Sequence, residues 1–243
     1  MMKTASLAAL AFLGLAASAQ AHQIWIEQAA DQNAVLRFGE FGENLREASP
    51  GLLDKFGKPV ATLLSQKGER KADAAKTADG FALPFKAARG EAIVAEDLTY
   101  PLYAWKQQDK EIMNWFHPAA RLITDFAEQQ PKLALDLVPA GERGRFKLFL
   151  KGQPKAKTKV TLVTQSGWSK EAMTDEAGVV RFDLPWRGPY VAEVSVNERA
   201  SGERAGAKGA EKYDGVSYVT TVAFVSEEGA APVPAGPAAT PNK

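Results

Sequence analysis

Histidine is scarce in this chain, and its two copies sit in unlike settings. His22 directly follows Ala19-Gln20-Ala21, an A-x-A sequence of the kind cleaved by signal peptidase. A cut there makes His22 the first residue and frees its α-amine. An amine and the imidazole Nδ1 of one residue can chelate a metal ion together, and both titrate near neutrality, at ordinary values of about 7.7 and 6.5. His117 lies in Trp115-Phe116-His117-Pro118, strand-like sequence broken by proline. A second imidazole would complete a three-nitrogen set suited to copper(II), or to nickel(II) with further ligands. His22 and His117 are therefore the candidate metal ligands, for copper or nickel. The plainer alternative for His117 is a hydrogen-bonded or surface histidine at a strand end.

Other groups offer less. Glu40 and Glu43 flank Phe41-Gly42, and Glu96-Asp97 closes a strand, so each could supplement a metal site or simply be solvated. Met173 is a soft donor or core filler. Tyr100 and Tyr103 are axial candidates for an oxidative copper site by sequence proximity alone. Trp168 and Trp186 could form a sugar platform or sit in a core. Hydrolytic chemistry finds no G-x-S-x-G elbow, thiol or H-E-x-x-H helix, and no glycine-rich phosphate loop is present.

These residues must be placed by an exported chain. Lys3 and the apolar run Ala5 to Ala17 precede the cleavage site, so residues 1–21 read as a signal peptide and the mature chain as periplasmic. An alternative cut after Ala17-Ser18-Ala19 would leave Gln20 in front. The apolar run is shorter than the roughly 20 residues a membrane helix needs, and no second one follows, so no integral membrane segment is expected. Cysteine is absent, which excludes a lipoprotein anchor, disulfides and thiolate metal sites. The 30 basic and 29 acidic residues nearly cancel, leaving no electrostatic footprint for nucleic acid.

The chain reads as all-β. Alternation marks strands at His22 to Gln28, Ala34 to Phe38, Val60 to Ser65, Gly80 to Phe85, Glu91 to Glu96 and Ile112 to Phe116. A short helix is expected from Ser49 to Gly57, with Pro50 at its first position. After Gln130-Pro131 come Lys132 to Val138, Arg145 to Lys151, Thr158 to Thr164, Val179 to Leu184, Tyr190 to Val196 and Val216 to Val225. Asn197 to Lys212 reads as a mobile loop. The expected organisation is two immunoglobulin-like or transthyretin-like β-sandwich domains, 22–130 and 131–226, followed by a disordered Ala/Pro tail, 227–243.

Several motifs resemble one family. Ala21-His22-Gln23-Ile24-Trp25-Ile26-Glu27 is similar to the AHxxWxE opening of the DUF4198 family, and Phe38 to Arg46 resembles its glycine-containing loop. Thr174-Asp175-Glu176-Ala177-Gly178, followed by Leu184-Pro185-Trp186-Arg187-Gly188-Pro189-Tyr190, resembles its TDxxG…LPWxGxY signature, and Tyr213-Asp214-Gly215 with Tyr218 to Thr221 its closing strand. The resemblance implies an exported all-β accessory of nickel or cobalt uptake, with its N-terminal histidine at His22. The expected partners are a metal ion and an inner- or outer-membrane metal transporter. Two other readings stand beside it: an envelope interaction module without metal, and a copper histidine-brace oxidative enzyme.

Overall fold

The computed structural model describes residues 22–107, 110–206 and 209–242, so the expected signal peptide, residues 1–21, lies outside the described residues. Its first half contributes β1 (Gln23–Glu27), β2 (Val35–Glu40), β3 (Leu45–Arg46), β4 (Val60–Ser65), β5 (Gly68–Asp73), β6 (Ala75–Lys76), β7 (Phe81–Ala82), β8 (Ala92–Glu96), β9 (Tyr103–Gln107) and β10 (Lys110–Ile123). Its second half adds β11 (Leu135–Pro139), β12 (Arg145–Leu150), β13 (Gln153–Pro154), β14 (Lys159–Thr164), β15 (Ser169–Met173), β16 (Val179–Arg181), β17 (Gly188–Glu198), β18 (Gly202–Gly206), β19 (Gly209–Tyr213) and β20 (Gly215–Ser226). The chain is all-β, as its alternation implies.

One nine-stranded sheet is the backbone of the molecule, in the order β15-β14-β17-β20-β10-β8-β4-β5, with β9 on the outer part of β10. Side chains along each of its strands alternate between two faces. Val191 and Ala223 join Trp25, Leu36, Phe38 and Phe81 of the small sheet built from β1, β2, β3, β6 and β7. Their neighbours Ala192, Val222 and Phe224 join Leu137, Phe146 and Leu148 of the sheet built from β11, β12, β13 and β16. The result is sandwich packing on both faces of a shared sheet.

That sharing crosses the expected boundary at residues 130–131. β10 of the first half runs parallel to β20 of the second, from Asn114↔Gly215 to Leu122↔Ala223, so the two halves meet inside one hydrogen-bonded ladder. A buried ion pair fastens the crossover between them. Arg121 on β10 and Asp136 on β11 are both fully buried, joined by Nε to Oδ1 at 3.0 Å and Nη2 to Oδ2 at 2.6 Å. Gln129 accepts from Arg121, and the Lys132 and Leu133 amides donate to Asp136, so little of either charge is left unpaired.

Three local expectations also change. The segment Ser49 to Gly57 forms only a 3-10 turn, Leu52–Lys55, in place of a helix. Ser49 donates to Asp54 instead of capping the turn, and the Asp54 carboxylate takes the Gly51 amide. Asn197 to Lys212 is largely ordered: β17 runs on to Glu198, and β18 and β19 form a hairpin. Arg204 anchors that hairpin, paired with Glu211 and lying 5.5 Å over the Trp115 ring. The Ala/Pro tail 227–242, expected to be disordered, is tied to the surface by backbone and side-chain hydrogen bonds of Ala230, Gly236, Ala239 and Asn242.

Candidate functional site

His22 enters β1 opposite the end of β2. The antiparallel register pairs Gln23 with Gly39, which sets His22 beside Glu40. The chain then turns through Phe41–Glu43 and a left-handed Asn44 into β3. Pairing Gly39 with Arg46 carries the next residue, Glu47, back against Phe38, whose carbonyl accepts the Glu47 amide at 2.8 Å. This return depends on Gly39. Its φ is 143°, and any Cβ there would collide with the Leu45 carbonyl oxygen.

The loop thus holds one carboxylate at each ring nitrogen of His22. Nε2 is 2.6 Å from Glu47 Oε1, and Nδ1 is 3.4 Å from Glu40 Oε1. Glu47 is fully buried, while His22 and Glu40 stay partly exposed. Burial raises the Glu40 carboxyl above its ordinary range, opposed by His22 and reinforced by Glu43 and Glu47. The His22 ring packs 5.3 Å from Phe38, which begins an aromatic series through Tyr100 to Phe116. In the tautomer that carries its proton on Nε2, that N–H donates to Glu47 and the Nδ1 lone pair faces Glu40. This is the arrangement by which a second carboxylate fixes the tautomer of a ligating histidine.

His117 is elsewhere. Phe116 faces Tyr100 and the small sheet, so His117, one residue on, points to the opposite face of the nine-stranded sheet. There it stacks on Trp115 at 4.9 Å and 11°, meets Tyr218 at 5.3 Å, and bonds Glu96 through Nε2 at 3.1 Å. Among the described residues its Nδ1 is buried without a partner. The structure therefore does not bring His22 and His117 together; each has its own glutamate, on its own side of a sheet. Asp97, next to Glu96, is buried and spends its carboxylate on Gly57 and Thr99.

The remaining candidates fall into structural places. Trp168 and Trp186 pack edge to face at 4.8 Å against the second core, not as a flat platform. Met173 is exposed on the edge strand β15. Tyr100 sits in the aromatic series near His22, and burial pushes its hydroxyl up to about 12. Tyr103 bonds Asn114 instead. Among the described residues no group of three or more His, Cys, Asp or Glu side chains could hold a metal ion. At His22 the carboxylates of Glu40 and Glu47 face different ring nitrogens.

Two residues near the site give no sequence signal. Glu47 is a single glutamate in Leu45-Arg46-Glu47-Ala48, and only the fold makes it the fixed partner of His22. Glu193, on β17, accepts from Gln23 beneath β1. Burial pushes its carboxyl up to about 7, partly offset by the Gln23 bond and reinforced by Glu40. The folded chain thus keeps this proton toward pH 7, whereas an unfolded chain releases it near 4.5. Stability should fall as pH rises through that window. Glu193→Gln is therefore expected to stabilise the protein at pH 8 by about 3 kcal/mol and to change little at pH 4.5. Urea denaturation at the two pH values checks this; an equal effect at both would contradict it.

A cleft of about 320 Å³ opens beside Trp25, where the small sheet meets the large one, and Arg37, Arg46 and Glu27 line it. Burial favours a neutral Glu27, but hydrogen bonds from Arg46 and Trp25 and the charges of Arg46 and Arg37 hold its carboxyl below the ordinary value. This ion cluster braces β1 against β2 and β3. No family model matches the chain, and no curated protein or solved structure is significantly similar to it.

Proposed function

We propose that this chain is an exported periplasmic protein that binds one divalent transition-metal ion, nickel, cobalt or copper, at His22 and passes it on as an accessory of metal uptake or delivery. The observation that carries the proposal is the line Glu47–His22–Glu40, with a buried carboxylate on Nε2 and an accessible one at Nδ1. Signal cleavage after Ala21 would free the His22 amine. The donor set is then amine, Nδ1 and the Glu40 carboxylate, two nitrogens and an oxygen, which suits nickel(II) or copper(II). Glu47 orients the ring and does not ligate. Bound there, the ion is cargo, held by a site that cannot assemble in the precursor because the amine is still in a peptide bond. The sequence resemblance to the DUF4198 family supports the same role, with a membrane transporter as recipient.

His117 no longer belongs to this set. Titration calorimetry of a chain beginning at His22 should show one equivalent of Ni(II) or Cu(II) bound. His22→Ala should weaken binding by on the order of a hundredfold, the scale on which a second tethered contact adds to a first. His117→Ala should leave affinity unchanged. Equal loss in both variants would contradict the assignment.

A second reading, an envelope interaction module, is favoured by one surface. Leu98, Tyr103 and Trp105 are 44, 41 and 54% exposed within eight residues of one another. It gains if a protein with an intact His22 terminus binds no metal at micromolar concentration.

A further inference from the structure

The course of the C-terminal tail ends at the His22 site. Ala230 pairs beside Trp186, its amide donating to Pro185 and its carbonyl accepting from Arg187, both at 2.9 Å. Pro232, Val233, Pro234 and Ala235 then follow a track lined by Thr164, Gln165, Trp186 and Pro189. Asn44 holds the next stretch at both ends: its Nδ2 donates to the Gly236 carbonyl at 2.8 Å, and its own carbonyl accepts the Ala239 amide at 3.2 Å. Asn242 finishes the path. Its backbone amide donates to Glu47 Oε2 at 2.9 Å, and its side-chain Nδ2 donates to Glu47 Oε1 at 2.6 Å and lies 3.2 Å from His22 Nε2.

The energetics of this path are uneven. Residues 231–240 are all exposed, so almost no apolar burial holds them. Four prolines, at 232, 234, 237 and 241, keep the segment extended and reduce the entropy lost when it lies down. What binding strength it has is concentrated at discrete polar anchors, the last of which is the site itself. Glu47, in turn, is a wholly buried carboxylate that receives two of its donors from Asn242 and one from His22. A carboxylate in that position needs those donors or water. The tail and the site therefore complete each other: the tail is anchored on Glu47, and Glu47 is sealed from water by the tail.

We propose that Ala230–Asn242 is a displaceable strap, seated on a track that accepts an extended proline-bearing segment, and that Asn242 closes the Nε2 side of His22 by bonding Glu47. Asn242 is a positioning residue, acting on His22 through Glu47. Lifting the strap opens the imidazole and Glu47 to solvent. The metal role of this strap rests on the proposed function, but its closure of His22 does not.

The test uses diethyl pyrocarbonate, which modifies accessible neutral imidazole, with the hydroxylamine-reversible adduct on each histidine followed by peptide mass spectrometry so that the α-amine adduct is not counted. Full-length chain beginning at His22 is compared with one ending at Gly229 and with Asn242→Gly, which keeps the rest of the strap. His22 should react at least tenfold faster in the truncated chain and several-fold faster in Asn242→Gly. His117, buried on the other face of the sheet, should react at one rate in all three and reports that the fold is intact. His22 rates within twofold of one another, with His117 unchanged, would overturn the strap; a truncated chain in which His117 also accelerates leaves the decision to Asn242→Gly. Stopped-flow association of Ni(II) with the same chains separates the two claims. Faster His22 modification without any Ni(II) binding upholds the strap and removes the metal role, whereas Ni(II) binding at one rate in all chains with unchanged modification removes the strap alone.

Discussion

Asp136→Ala is expected to cost about 3 to 5 kcal/mol of folding stability, the penalty for leaving a buried partner charge uncompensated. Whole domains of ordinary stability have only about 5 to 15 kcal/mol to lose. The magnitude follows from burial: neither side chain of the Arg121–Asp136 pair reaches solvent, so an unpaired Arg121 guanidinium could not be rescued by water without opening the core. Asp136 also collects the Lys132 and Leu133 amides, so the variant strands two further donors at the crossover into β11. Guanidinium denaturation should show a large drop in midpoint. Replacing both partners together with apolar residues of similar size should recover much of the loss, because a buried pair contributes less than one of its halves costs when stranded. A single-variant loss under about 1 kcal/mol, the scale of an exposed ion pair, would show that the pair is solvated.

Glu47→Gln should weaken metal binding by about 10- to 100-fold, the range for a carboxylate that orients a ligating histidine. A neutral amide accepts the Nε2 proton less strongly, so the tautomer with a bare Nδ1 is less favoured. Its NH₂ group also confronts one of the two Asn242 donors, which now meet one carboxylate oxygen each. The change removes no donor to the ion, which distinguishes it from His22→Ala. Calorimetry should find one equivalent still bound, at lower affinity, with thermal unfolding checked alongside. Unaltered affinity would show that Glu47 serves only the tail.

The strands were legible where alternation was clean. Val60–Ser65 shows this best, since its inner residues Ala61 and Leu63 alternate with partly exposed neighbours on a sheet that covers one face. The strand expected at Ile112 to Phe116 is shorter than β10 because Pro118 reads as a break. Pro118 is tolerated where the β9 pairing has ended at Asn114 and the β8 pairing has not yet begun at Ala119, so on that side no amide is required. Arg121 is polar only until Asp136 is found, about fifteen residues on. The shared sheet was illegible for a different reason: parallel pairing of β10 with β20 joins residues about a hundred positions apart, and local periodicity carries no sign of it.

The site was half legible. The unusual chemistry of His22 followed from its position after an A-x-A sequence, and Glu40 was visible as a nearby carboxylate. The pairing with His117 was inferred from scarcity, and strand alternation places the two rings on opposite faces. Glu47 and Asn242 gave no signal, because each acquires its role from a return of the backbone rather than from a motif. The hydrogen bonds of the tail are equally invisible to composition. Ala and Pro predict poor burial, which is what the exposed segment shows, while Glu228, Ala230, Gly236, Ala239 and Asn242 supply hydrogen bonds that composition does not weigh.

The dependence of metal binding on a free His22 amine is the central claim. The most direct measurement compares two purified chains, one beginning at His22 and one carrying Ala21 in front of it, each titrated with Ni(II) and with Cu(II) under native mass spectrometry. The expected result is one tightly held ion on the first chain and a loss of at least about tenfold in affinity on the second, in which His22 keeps its imidazole and Glu40 but has no amine. Equally tight binding by both chains would contradict it.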